Sequence, residues 1–413
     1  MKYLNKKRNY KLSGNKVVDN FIKYTQKHNY LETGRMEFVS YDQFENIEFF
    51  AEGGFSKIYK ATWVIRDDKK RNTKRKTVAL KNINNSKNVT SKDLNELKMV
   101  SDYCSRLSKK YGISKHLNFY NVCIINYYGI TQDPKTKDFM IIMDYYPFGN
   151  LRHYLTKHFN YSWYKKLIML ISILNGLKYI HDANIIHRDF HSGNILYNST
   201  TSAIICDLGI SKSSTATDNN DEIYGIIPYV APEIFQGYKY TTASDIYSFG
   251  IIMWEFMTGR RPFWDQNHNI DLIINICDGL RPPAFTTNIP KGYVDLMKKC
   301  WHSDPNKRPT ASSILKELEY IKLSELENPT EIMPLPDIIP LITTNSGAIY
   351  KSRPLSNMIK SAIYTRSQVL TSKSLESDPF YYYQNYNNTP FNDKRNDLSE
   401  DNKMMISSED ESD

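Results

Sequence analysis

Ile185-Ile186-His187-Arg188-Asp189-Phe190-His191-Ser192-Gly193-Asn194-Ile195-Leu196 is the stretch on which the reading of this chain turns. It follows an apolar segment of helical periodicity and leads into a short apolar run of strand character. Between the two runs lie one carboxylate, one carboxamide and two imidazoles in a turn-like connection. A loop that polar, held between apolar elements, belongs at the rim of a cleft with its polar groups facing a ligand.

Upstream of it, Ile47-Glu48-Phe49-Phe50, residues 57–63 and Thr77-Val78-Ala79-Leu80-Lys81 alternate with period two between glycine-containing or charged loops. That pattern predicts antiparallel strands. Leu94, Leu97 and Val100 recur at helical spacing within residues 91–105, and two further strand-like runs follow at 124–130 and 139–143. Pro147-Phe148-Gly149-Asn150 breaks the pattern. Beyond it, residues 164–181 carry a wide apolar face, and residues 245–257 are apolar nearly all round, as a helix in the middle of a domain must be. Strands first and helices afterwards predict an α+β fold of two lobes with a cleft between them.

The spacing His187-Arg188-Asp189 with Asn194 resembles the catalytic loop of eukaryotic protein kinases. The resemblance implies that Asp189 accepts the proton of a substrate hydroxyl, that Asn194 holds a Mg²⁺ ion, and that Arg188 flanks them. The other parts follow in the family's order. Ala51-Glu52-Gly53-Gly54-Phe55-Ser56 resembles the glycine-rich loop, keeping Gly53 where a side chain would obstruct the approach of backbone to phosphate. Val78-Ala79-Leu80-Lys81 resembles the strand whose lysine contacts the α- and β-phosphates, with Glu96 on the next helix as its counter-charge. Met143 takes the gatekeeper position, and Asp144, Tyr145 and Tyr146 the hinge that receives adenine. Ile58, Ala79 and Leu196 complete the implied ATP site. Asp207-Leu208-Gly209 resembles the metal-binding element, with Asp207 the principal Mg²⁺ ligand and Leu in place of Phe. Ala231-Pro232-Glu233 and Arg308 complete the set as the implied ion pair, and Asp245 is the acid opening the central helix.

The segments around Asn194 and Pro232 are most similar to the tyrosine-kinase-like group, most of whose members phosphorylate Ser or Thr. Two linked positions depart from Ser/Thr kinases. His191 stands where a lysine is usual and Ile226 where a threonine is usual, both of which hydrogen-bond with the catalytic acid. His191 can still donate a hydrogen bond, and Ile226 cannot. The expected activity is transfer of the γ-phosphoryl of Mg-ATP to protein hydroxyls, with a nucleotide-binding pseudokinase scaffold as the alternative. The hydroxyl-rich stretch 211–217 is either a solvated loop or the target of an upstream kinase, its phosphate pairing with Arg188.

With 413 residues, 40% hydrophobic and 24% charged, the chain can bury a sizeable core. The net charge of +9 gathers in residues 2–27 and 66–76, read as a solvated arm and a loop between strands, so no specific nucleic-acid partner is expected. Five scattered cysteines without Cys-x-x-Cys spacing argue against disulfides and structural zinc and fit a reducing, cytoplasmic compartment. No apolar run approaches the roughly 20 residues needed to span a bilayer. The expected organisation is a flexible basic arm over 1–40 with room for one docking helix around residues 17–22, a kinase domain over 45–320 divided near residue 144, and a low-complexity, disordered, acidic-ended tail over 321–413 that includes Phe380-Tyr381-Tyr382-Tyr383.

Overall fold

The computed structural model describes residues 11–29, 34–52, 56–67, 72–111, 123–158, 160–197, 202–215, 222–283, 288–331 and 345–370. Gly53, Gly54, Phe55, Ala216, Thr217 and the tyrosine-rich and acidic stretches of the tail lie outside them. Helix α1 (Lys16–His28) and strand β1 (Glu37–Phe38) precede the long antiparallel strands β2 (Phe44–Glu52), β3 (Lys57–Asp67) and β4 (Asn72–Asn82). Helix α2 (Asn95–Tyr111) and strands β5 (Tyr127–Gln132) and β6 (Phe139–Asp144) complete the first lobe. Its sheet runs β1-β5-β6-β4-β3-β2, with only β1 parallel to its neighbour. Gly129 makes that pairing feasible: at φ +151° a Cβ there would lie 1.8 Å from the Glu37 carbonyl oxygen.

The second lobe is helical: α3 (Leu151–His158), α4 (Trp163–Asp182), α5 (Pro232–Phe235), α6 (Thr242–Thr258), α7 (Ile270–Cys277), α8 (Tyr293–Cys300) and α9 (Ala311–Glu327). Short strands β7 (Ile185–Ile186), β8 (Ile195–Tyr197), β9 (Ala203–Ile205), β10 (Lys212–Ser213) and β11 (Tyr224–Gly225) lie between these helices in the chain. Helix α6 is buried along almost its whole length, as its uniform apolarity predicts. A Thr241/Ser244 capping box starts it and Gly259 at φ 67° ends it.

Three sequence expectations need correction. Residues 66–76 are mostly strand, not loop: β3 and β4 stay paired from Ile58↔Lys81 out to Asp67↔Asn72. Their charges sit on the outer face, where Arg75 meets Glu45 at 2.9 Å. The N-terminal arm is not wholly solvated: the docking helix is present as α1, because Val18, Ile22 and Thr25 form a buried stripe on it at spacings of four and three. The Asn15 side chain caps that helix by accepting from the Val17 and Val18 amides.

The third concerns the tail. Helix α9 continues to Glu327, and residues 345–370 are ordered against the helical lobe as strand β12 (Arg353–Pro354) and helix α10 (Ser356–Leu370). Leu355, Ile359 and Ala362 are buried, again at spacings of four and three. An apolar stripe so thin disappears in composition when Ser, Asn and Lys fill the other faces.

Candidate active site

Ile185 and Ile186 are fully or almost fully buried, and the polar residues after them turn out of the core into the cleft. Buried Asp245, in the first turn of α6, fixes this turn. Its carboxylate accepts from the His187 and Arg188 amides at 2.9 and 3.0 Å and lies 2.9 Å from His181 Nε2. Arg188 is held at φ 73°, a left-handed conformation that a non-glycine residue takes only when its surroundings impose it. Asn194 Nδ2 donates to the Asp189 carbonyl at 2.9 Å, which commits the amide nitrogen and leaves Oδ1 as the donor atom for a cation.

The Asp189 carboxylate has two neighbours. Oδ2 accepts a hydrogen bond from Ser352 Oγ at 2.6 Å, and Oδ1 lies 3.6 Å from His191 Nε2. His191 Nδ1 accepts from the Gly193 amide at 3.0 Å, so the ring proton sits on Nε2, facing the acid. Burial alone would raise the Asp189 pKa, but His191, Ser352 and His187 together hold it below the ordinary carboxylate value. Asp189 is therefore ionised and able to accept a proton at neutral pH.

Across the cleft, Lys81 on β4 lies 2.7 Å from Glu96 Oε2 and 3.1 Å from Asp207 Oδ1. Burial pushes the Lys81 ammonium toward its neutral form, and the Asp207 and Glu96 carboxylates outweigh that, holding its pKa above the ordinary lysine value. Tyr127 donates its hydroxyl to Glu96 Oε1. Asn95 Nδ2 donates to the Gly209 and Ser211 carbonyls at 2.7 and 3.2 Å, tying the start of α2 to the Asp207 segment. Neither Tyr127 nor Asn95 has a sequence signal, since each acts through a contact over 31 residues or more in the chain. Asp207 stands at φ 61°, and fully buried Leu208 plugs the core behind it.

Ala79 is paired with Met143 and Lys60 within the sheet, and Ile58 is paired with Lys81 and Ala51. Glu52 pairs with Lys57, and Ser56 is buried beside them. Opposite, Leu196 lies on β8, bridged to Asn150. Phe50 meets the Tyr145 ring edge-on at 5.5 Å, and Tyr146 packs partly buried against the main core. The Asp144 carboxylate is taken up by Tyr128, Asn126 and Lys76, so only its main chain is left for a ligand. The cleft thus brings together Lys81, Glu96, Asp207, Asn194, Asp189 and His191, while the Arg188 guanidinium and the Asp144 carboxylate are engaged elsewhere. A separate cavity of about 350 Å³, lined by Arg35, Trp63, Tyr103 and Cys104 among others, lies behind α2 and contains none of them.

The family model for protein tyrosine and serine/threonine kinases matches residues 44–318, about two thirds of the chain. The chain belongs to the protein kinase family. Among curated relatives, it is 33% identical to the ephrin type-A receptor 6 of Rattus norvegicus over 224 residues, 52% of this chain and 21% of that protein. Two Dictyostelium discoideum proteins named "Probable serine/threonine-protein kinase" are 32% identical over 180 residues and 30% identical over 287 residues. These matches cover 44% and 68% of this chain and 11% and 28% of those proteins. The chain therefore spans well under half the length of the relatives it matches. An ephrin receptor and probable serine/threonine kinases among its relatives fit a tyrosine-kinase-like domain.

Within the kinase domain, the Ala-Pro-Glu glutamate has the partner that the resemblance implies. Arg308 Nη1 and Nη2 each donate to one Glu233 oxygen at 2.7 Å, and its guanidinium side chain is fully buried. The hydroxyl-rich stretch is less uniform than its sequence suggests. Ser211 is buried and donates to the His187 carbonyl at 2.9 Å, which takes it out of reach of a modifying enzyme. The cation beside Ser213 is Arg106, at 3.2 Å, while the Arg188 guanidinium stacks 4.7 Å above the Tyr240 ring. A phosphate on Ser213 would meet Arg106 rather than Arg188. Among the described residues no helix is long and apolar enough to cross a membrane.

Beneath the catalytic loop of the kinase domain, Ser192 Oγ donates to Glu255 Oε1 at 2.9 Å, and the other Glu255 oxygen is buried without a hydrogen-bond partner. Burial raises the Glu255 pKa from 4.5 to about 7, with Tyr229 and Ser192 opposing the shift. A carboxyl raised on folding favours the folded state below its unfolded pKa, and that advantage is lost as the pH rises through the folded value. The loss between pH 4.5 and about 7 is on the order of 3 kcal/mol. Glu255→Gln keeps the neutral shape and is expected to melt higher than the native chain above pH 7, with the gap closing below pH ~5. Thermal denaturation of both proteins from pH 5 to 8 checks this, and parallel curves would count against the assignment.

Proposed function

We propose that the chain is a serine/threonine protein kinase that moves the γ-phosphoryl group of Mg-ATP onto protein hydroxyls. The observation that carries this reading is the convergence of Lys81, Glu96, Asp207, Asn194 and Asp189 on one cleft, with a serine hydroxyl 2.6 Å from the Asp189 carboxylate. Lys81, kept charged by its two carboxylates, holds the phosphates of the nucleotide. Asp189 orients the acceptor hydroxyl and takes its proton. Asp207 and Asn194 offer one carboxylate and one amide oxygen, a set that suits Mg²⁺ and would hold it. An ion there would supply neutralisation of the phosphate charge. His191 takes the role of the usual lysine by presenting its Nε2 proton beside Asp189, and slower transfer than in a lysine-bearing site is expected.

Reach supports the Ser/Thr preference. Ser352 touches Asp189 while the next residue of its main chain is paired with β11. A phenol would hold its main chain several ångströms farther out and lose that pairing, by the dimensions of the side chain. Mg-ATP with matched Ser, Thr and Tyr peptides, read by mass, tests the preference, and equal labelling of Tyr would sink it. The second reading, a nucleotide-binding scaffold, draws support from Ile226, which is buried and supplies no hydrogen bond to Asp189. It would lead if ATP raised the melting temperature without transfer to any hydroxyl. Five free cysteines suit a cytoplasmic enzyme, and Ser213 beside Arg106 suits control by an upstream kinase.

A further inference from the structure

Residues 345–370 do more than cover the helical lobe: they pass directly against Asp189. Strand β12 pairs antiparallel with β11, matching Arg353 to Gly225 and Pro354 to Tyr224. The Leu355 amide donates to the Ile223 carbonyl at 2.7 Å, and Leu355 itself is fully buried. On the near side, the Tyr350 hydroxyl donates to the Pro262 carbonyl at 2.8 Å. On the far side, Arg366 on α10 meets Asp278 at 2.7 Å. Between these anchors the Ser352 hydroxyl lies on Asp189 Oδ2. At Gly225, φ +155°, a Cβ would sit 2.8 Å from a Val230 methyl, so glycine suits the residue paired with Arg353. The neighbouring hydroxyl of Ser356 is engaged elsewhere, accepting from the Ile223 amide at 3.0 Å.

We propose that Ser352 is the acceptor of an intramolecular phosphoryl transfer, and that residues 345–370 occupy the peptide channel as the chain's own first substrate. The proposal rests on the phosphoryl-transfer reading above and adds the acceptor and its consequence. Ser352 Oγ bonds to the γ-phosphorus of a nucleoside triphosphate. The bond from that phosphorus to the β,γ-bridging oxygen breaks, and the nucleoside diphosphate leaves with the electron pair. The hydroxyl proton passes to Asp189 Oδ2. The product phosphoserine has lost its hydrogen-bond donor and places a charge of about −1.5 to −2 beside the Asp189 carboxylate. Repulsion then expels the segment and opens the channel to other proteins.

The test uses the full chain with Mg-ATP at a range of protein concentrations, with site mapping by mass spectrometry. The expected result is one phosphate on Ser352, with a first-order rate constant independent of protein concentration, and its loss in Ser352→Ala. In a second arm, a synthetic peptide of residues 347–358 serves as substrate for Ser352→Ala, whose segment cannot be phosphorylated and stays seated, and for Leu355→Glu, which unseats it. A tethered occupant acts at an effective concentration near millimolar, so the apparent KM for the peptide should be about tenfold or more lower in Leu355→Glu than in Ser352→Ala. Labelling of the peptide but never of Ser352 would overturn the acceptor assignment and leave the kinase reading intact. A rate constant that scales with protein concentration would overturn the intramolecular step. No transfer to Ser352 or the peptide by the native chain, Ser352→Ala or Leu355→Glu would overturn both readings.

Discussion

Asp189→Asn is expected to slow phosphoryl transfer by roughly 10²–10⁴-fold, the range of general-base assistance, with little change in nucleotide affinity. Asparagine matches aspartate in shape and can still accept the hydrogen bond that Ser352 now donates. It cannot take the proton. Asn194 holds the main-chain carbonyl of residue 189 rather than its side chain, so the loop should keep its form. Lys81, Glu96 and Asp207 lie across the cleft and are untouched, so ATP should raise the melting temperature of variant and native chain alike. Single-turnover transfer from labelled ATP gives the rate, and the melting shift gives the binding. A rate within threefold of native would remove Asp189 from its proposed role. Loss of the melting shift would mean that the substitution had damaged the nucleotide site as well.

The largest effect on stability is expected at Arg308. Its side chain is fully buried and, besides Glu233, donates to the carbonyls of His302, Ala243 and Ser303. Arg308→Met would leave the Glu233 carboxylate buried without its counter-charge and three carbonyls without this donor. Removing one member of such a pair costs roughly 3–5 kcal/mol. In a domain of this size that lowers the melting temperature by on the order of 10 °C. Replacing both partners with apolar side chains should cost less than Arg308→Met alone, because no buried charge is then stranded. A double variant no more stable than the single one would show that the carbonyl contacts, not the ion pair, carry the energy.

Much of the candidate site was legible because its chemistry is local in sequence. Asp189 and Asn194 share one loop, Val78 to Lys81 share one strand, and Asp207 and Gly209 share one turn. Their order along the chain sufficed to assemble them before any contact was known. Residues that act across the fold were not legible. Tyr127 on Glu96, Asn95 on the Asp207 segment and Arg106 beside Ser213 are ordinary side chains until packing brings them together. The buried stripe of Leu355, Ile359 and Ala362 was hidden for a related reason: three apolar residues change composition very little, yet at helical spacing they dock a helix.

By itself, the sequence determined the family, the two-lobed α+β fold and the identity of the polar residues in the cleft. Period-two and period-3.6 patterns and short motifs are properties of neighbouring residues, so the chain states them directly. Only the tertiary structure decided what faces those residues. It set Asp207 beside Lys81 in addition to Glu96, turned the Asp144 carboxylate away from the cleft, buried Ser211, and set Ser352 against an acid 163 residues away. Contacts at such separations depend on how helices and strands pack, which the order of residues along the chain does not spell out.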